Sequence, residues 1–74
     1  MRLHIGNLTN DTTPEQLMDV ARPFGALTSE IITDRGNGVS RGYGFVVFKS
    51  DSDAAAAVTG LRGLEINGQQ IRLG

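Results

Sequence analysis

The chain has 74 residues, among them ten glycines, two prolines and no cysteine, and 39% of it is hydrophobic. That length holds one small core and no second domain, the missing thiols exclude disulfides and a cysteine nucleophile, and no apolar run approaches the roughly 20 residues of a membrane span. Seven basic residues against eight acidic ones leave a formal charge of −1, which counts against a polyanionic partner unless the charges are segregated.

In chain order, Leu3-His4-Ile5 alternates apolar and polar residues and ends in Gly6-Asn7, the pattern of a short strand and a turn. Thr13, Pro14 and Gln16 then supply an N-cap, a first helical proline and a Thr-x-x-Gln capping box. Leu17, Val20, Ala21 and Phe24 recur at i, i+3, i+4 and i+7 as one apolar stripe, and Pro23 with Gly25 closes this helix. Residues 26–34 alternate as a strand, with Leu27, Ser29 and Ile31 as the inward set. Residues 34–42, rich in glycine and polar side chains, predict a flexible connection. Tyr43 to Phe48 is the strongest strand, aromatic and β-branched. Ser50-Asp51-Ser52-Asp53 opens a second helix that carries Ala54, Ala57, Val58 and Leu61 on one stripe. Leu64 to Leu73 predicts a small hairpin turning at Asn67-Gly68, with Gln69–Leu73 as its last strand.

Strand, helix, strand, strand, helix, strand is the order of an α+β, ferredoxin-like βαββαβ fold: a four-stranded antiparallel sheet with both helices on one face. The core then comprises Leu3, Ile5, Leu17, Val20, Phe24, Leu27, Val46, Phe48, Val58, Leu61, Ile71 and Leu73. If Val46 and Phe48 face the helices, Tyr43 and Phe45 point to the opposite sheet face, which no remaining segment is long enough to cover. Exposed rings on neighbouring positions imply a partner. Nucleobases suit them because every base has a flat π face, and homodimerisation or another protein partner is the alternative.

Arg41-Gly42-Tyr43-Gly44-Phe45-Val46-Val47-Phe48 resembles the octamer of the RNA-recognition motif at all its defined positions. Leu3-His4-Ile5-Gly6-Asn7-Leu8 resembles that family's companion hexamer on the first strand, and the resemblance runs through residues 1–74 as a single RNA-recognition-motif domain. It implies binding of single-stranded RNA in post-transcriptional regulation or RNA chaperoning. By position, Phe45 matches the ring that stacks on a base, Tyr43 the ring that packs against sugars, and Arg41 the residue that contacts a phosphate. His4 stands where the family's second stacking aromatic normally stands. Asn7 belongs to the hexamer but also suits a turn. Ile32, Gln70 and Arg72 are expected on the open face beside the rings, and Arg35 in the loop, where glycines let it close over a phosphate.

The net charge divides along the same line. Arg2, Arg35, Arg41, Lys49 and Arg72 outnumber Glu30 and Asp34 by three on the strands and loop, whereas the two helical segments are acidic by three. A basic patch is therefore expected around the aromatic one. Catalysis has little support: the lone histidine has no acidic neighbour placed to orient it, no metal-ligand spacing occurs, and the paired glycines precede no helix N-terminus. No cofactor, metal or small-molecule substrate is expected. With no leader-like N-terminus, the expected location is cytoplasmic or otherwise intracellular.

Overall fold

The alternation around His4 and the octamer build the two central strands of the sheet. In the computed structural model, which describes residues 1–74, β1 spans Arg2–Gly6 and β3 spans Ser40–Phe48, paired antiparallel with Leu3 opposite Val46 and His4 opposite Phe45. Around them lie β2 (Ala26–Thr33) and β6 (Arg72–Leu73), in the order β2-β3-β1-β6. Helices α1 (Pro14–Ala21) and α2 (Asp51–Gly60) supply the other layer, and β4 (Glu65–Ile66) with β5 (Gln69–Gln70) forms a separate two-stranded ribbon. The fold is the ferredoxin-like arrangement expected from the element order. No helix is long and apolar enough to cross a membrane.

Local chemistry sets the element ends. Thr13 Oγ1 accepts from the Gln16 amide at 3.1 Å while Gln16 Oε1 accepts from the Thr13 amide at 3.0 Å, so the capping box is formed; such a cap stabilises a helix by about 1 kcal/mol. Ser50 caps α2 through the Asp53 amide at 3.1 Å. The α-helical geometry of α1 ends at Ala21 rather than Phe24. Arg22–Phe24 tightens into a 3₁₀ turn that Gly25 closes at φ +89°, because the Pro23 ring has no N–H to continue the ladder.

Leu3, Ile5, Leu17, Val46, Phe48, Leu61 and Ile71 are buried, and Val20, Phe24, Val58 and Leu73 pack partly buried against them. Leu27 is not in the core: it is 57% exposed. Ala26 pairs with Phe48 and Thr28 with Val47, so Leu27 is an extra residue bulged out of β2, and Ala26 packs inward instead. A bulge of this kind shifts the alternation by one position, which periodicity cannot anticipate. Beyond it the inward phase returns, with Ser29 Oγ donating to the Pro14 carbonyl at 2.7 Å and Ile31 packed on the core. Leu8, Ala21, Ala54, Ala57 and Ile66 complete the core. The two buried alanines of α2 present small side chains to it, so the helix can approach closely.

Residues 34–39 form a closed hairpin loop, and 40–42 are already strand, where a loose connection was expected over 34–42. The Asp34 amide donates to the Val39 carbonyl at 2.8 Å, the Gly38 amide returns to the Asp34 carbonyl at 2.9 Å, and Asp34 Oδ1 accepts from the amides of Gly36 and Asn37. Strand β3 accordingly starts at Ser40, three residues before the aromatic run. The Asn67-Gly68 turn has φ of +55° and +79°, the two left-handed positions of a type I′ turn. Asn67 also hydrogen-bonds Gln16 across to the start of α1 at 2.8 Å. The expected strand Gln69–Leu73 is split at Ile71: its first half pairs in the ribbon and its second half with β1.

Candidate nucleic-acid interface

Directly paired residues share a sheet face, so the register fixes which side chains meet on the open side. Phe45 on β3 has His4 of β1 opposite it on one side and Glu30 of β2 on the other. His4 and Tyr43 lie with ring centroids 5.3 Å apart and planes 30° from parallel; His4 and Phe45 are 5.4 Å apart at 71°; Tyr43 and Phe45 are 6.2 Å apart at 89°. All three rings are half-buried and pack on one another on the helix-free face. Edge-to-face contacts of this sort hold rings in defined orientations. The His4 imidazole is thus part of an aromatic cluster, at the position where the octamer's partner ring was expected.

Arg2 shares this face two residues before His4. Its guanidinium carbon lies 4.3 Å from the Phe45 ring centroid, a cation–π contact beyond its share in the expected basic patch. The period-2 alternation Arg2, His4 was the available signal. Beside it, Arg2, Thr28, Ser29, Glu30, Phe45 and Val47 line a shallow cleft of about 310 Å³.

The remaining expected residues distribute unevenly. Arg72 pairs with Gly6 on β1 and so belongs to the open side. Ile32 lies half-buried near the end of β2. Arg41 is tied to Asp34 across the hairpin loop at 3.1 Å, both partly exposed, while Arg35 is exposed in the same loop. Gln70 is not on the sheet: it lies in the β4–β5 ribbon, because the last strand breaks at Ile71. Asn7 takes φ +58°, and its side chain clamps the ribbon by donating to the Gln70 carbonyl at 2.6 Å, while the Gln69 side-chain Nε2 donates to the Asn7 carbonyl at 2.7 Å. The left-handed backbone suits an asparagine, but its partner is 63 residues away rather than its own backbone.

Arg62, just beyond α2, lines a second cleft of about 370 Å³ together with Arg72, Asn7 and Gln70. Neither arginine has a carboxylate partner; the two ion pairs are Arg22–Asp19 and Arg41–Asp34. The basic character of the open side therefore continues around the β6 edge toward the end of α2. No group of three or more His, Asp or Glu side chains converges as a metal site would need.

The sequence pattern of the RNA recognition motif matches residues 3–72. The chain belongs to the RNA recognition motif family. A glycine-rich RNA-binding protein of Daucus carota is 41% identical over 71 residues, which cover 95% of this chain and 45% of that protein. Another from Mycosarcoma maydis is 38% identical over 73 residues, covering 97% and 42%. The chain therefore spans less than half the length of these relatives. Among solved structures, the second RRM domain of the yeast poly(U)-binding protein superposes with a TM-score of 0.92 at 34% identity, covering 99% of this chain and 89% of that one.

Proposed function

We propose that residues 1–74 act as one RNA-recognition-motif domain that binds short single-stranded RNA across the open sheet face, in post-transcriptional regulation or RNA chaperoning. The observation that carries this reading is the cluster of His4, Tyr43 and Phe45 on the helix-free side, with mutual centroid distances between 5.3 and 6.2 Å. The names of the glycine-rich RNA-binding relatives support it. So does a Sex-lethal protein–RNA complex, which superposes with a TM-score of 0.89 at 28% identity over 99% of this chain and 44% of that one.

In this reading one base stacks on Phe45 and a second on His4, and Tyr43 packs against the sugars between them. Arg41 and Arg35 take phosphates at the loop end, and Arg72 with Arg62 at the β6 edge. The protein binds and performs no chemistry. Stacking supplies most of the affinity and only two or three phosphates are neutralised, so the plot of log affinity against log salt should fall with a slope of about −1.4 to −2. Titration of a mixed single-stranded RNA pool against a blunt RNA duplex, across a salt series, tests this. Single strands should bind and the duplex should not compete; equal binding of the duplex, or no binding of either, contradicts the proposal.

His4 gives a finer test. An imidazole offers a smaller stacking surface than a phenyl ring, so His4→Tyr should tighten RNA a few-fold, within the roughly 1–3 kcal/mol range of base–aromatic stacking. Weaker binding by that variant, measured by fluorescence anisotropy, would mean that the imidazole acts through a hydrogen bond.

A further inference from the structure

A carboxylate on a face that binds a polyanion requires a reason, and the open face has one on its four strands. Glu30 is opposite Phe45 in the β2–β3 register, is exposed, and shares its cleft with Arg2, Thr28 and Val47. Glu30 and Arg2 do not pair with each other: the two ion pairs of the chain lie elsewhere, and the Arg2 guanidinium lies over the Phe45 ring instead. The cleft therefore places an unpaired acceptor beside one stacking platform and an unpaired donor over it.

This pairing selects among bases. Guanine alone presents two adjacent donors, N1–H and the N2 amino group, which match the two oxygens of a carboxylate; it also presents two acceptors, O6 and N7, which match a guanidinium. Uracil offers one N–H flanked by carbonyl oxygens that a carboxylate repels. Cytosine and adenine each offer one amino group beside a ring-nitrogen acceptor. We infer that the cleft between Arg2 and Glu30 is a guanine subsite, in which the base stacks on Phe45 with its N1/N2 edge on Glu30 and its O6/N7 edge toward Arg2. The guanidinium over Phe45 covers the ring in the free protein and yields that position to the base. This rests on the single-stranded RNA reading above and adds to it the identity of one nucleotide.

The test uses the full chain and four labelled hexamers, oligouridine and its variants with one central guanosine, adenosine or cytidine, followed by fluorescence anisotropy. The guanosine hexamer should bind about tenfold more tightly than the other three, the discrimination expected of one bidentate contact. Inosine in place of guanosine, which lacks the N2 amino group, should lose most of that advantage. Glu30→Gln keeps the shape of the side chain but offers a single acceptor beside a donor, and should reduce the preference to less than about twofold while leaving oligouridine affinity unchanged or slightly raised. Four equal affinities in the wild type, or a guanosine preference that survives Glu30→Gln, overturn the subsite and leave RNA binding standing. Failure of every hexamer to bind overturns both.

Discussion

Phe45→Ala should weaken single-stranded RNA binding by about 1–3 kcal/mol, roughly 5- to 150-fold, with Tyr43→Ala losing somewhat less, because one base–aromatic stack is lost in the first case and a sugar-packing surface in the second. Neither variant should lose much stability. Both rings lie on the helix-free face, outside the buried core, and the contacts they surrender are the ring pairs with His4 and the Arg2 guanidinium, each worth about 1 kcal/mol or less. Phe48, three residues on in the same strand, supplies the contrast: it is 1% exposed on the helix side. Phe48→Ala should cost about 3–5 kcal/mol of stability through a buried cavity. Anisotropy and thermal denaturation on the same three variants separate the two faces of β3. An affinity unchanged by Phe45→Ala and Tyr43→Ala would remove stacking from the account.

The second large effect is expected at Gly44→Ala. Gly44 is buried opposite Ile31, and a Cβ built there would overlap the main-chain carbonyl oxygen of Glu30 and lie 3.2 Å from the Ile31 Cα. The obstacle is backbone on the neighbouring strand, which cannot rotate away as a side chain would. Where the local backbone allows it, replacing glycine by alanine in a strand stabilises by about 0.4–1 kcal/mol through the unfolded state. Here the sign should reverse, with a loss of about 3 kcal/mol from forced separation of β2 and β3. A chain of this length is stable by roughly 4–11 kcal/mol in all, and the melting temperature should fall by roughly 12–24 °C. A drop below about 5 °C would mean that β2 and β3 can part at little cost. The small residue between the two rings of the octamer thus has a structural reason: it lets β2 come close to the strand that carries Tyr43 and Phe45.

Much of this was legible in the residues. Thr13, Pro14 and Gln16 form a cap whose chemistry is local, so sequence spacing predicts it fully, and the same holds for the Asn67-Gly68 turn. The alternation of Tyr43, Phe45 and Val47 against Gly44, Val46 and Phe48 placed the two rings on the open face, because a regular strand has no other choice. Leu27 was misplaced because a bulge depends on how β2 meets β3, which no property of Leu27 reveals. Gln70 failed for the same kind of reason: where a strand leaves one partner for another is a tertiary event, and Ile71 is the point at which it happens here. Asn7 and Asn67 suit turns by themselves, but their side-chain partners, the Gln70 carbonyl and Gln16, lie more than 50 residues away. Arg62 follows α2 in sequence and lines the same cleft as Arg72, a proximity that depends on how the last strand packs beside the helix. A net charge of −1 consequently says little about the partner, since the unpaired arginines Arg2, Arg62 and Arg72 flank the open side.

The central claim, that the His4, Tyr43 and Phe45 face is the RNA-binding surface, is tested most directly by following backbone amide resonances while a short mixed-sequence single-stranded RNA is added. The largest shifts should fall on β1 and β3 around His4, Tyr43 and Phe45, with the outer surfaces of α1 and α2 unchanged. Shifts confined to the helices, or none at saturating RNA, would contradict it.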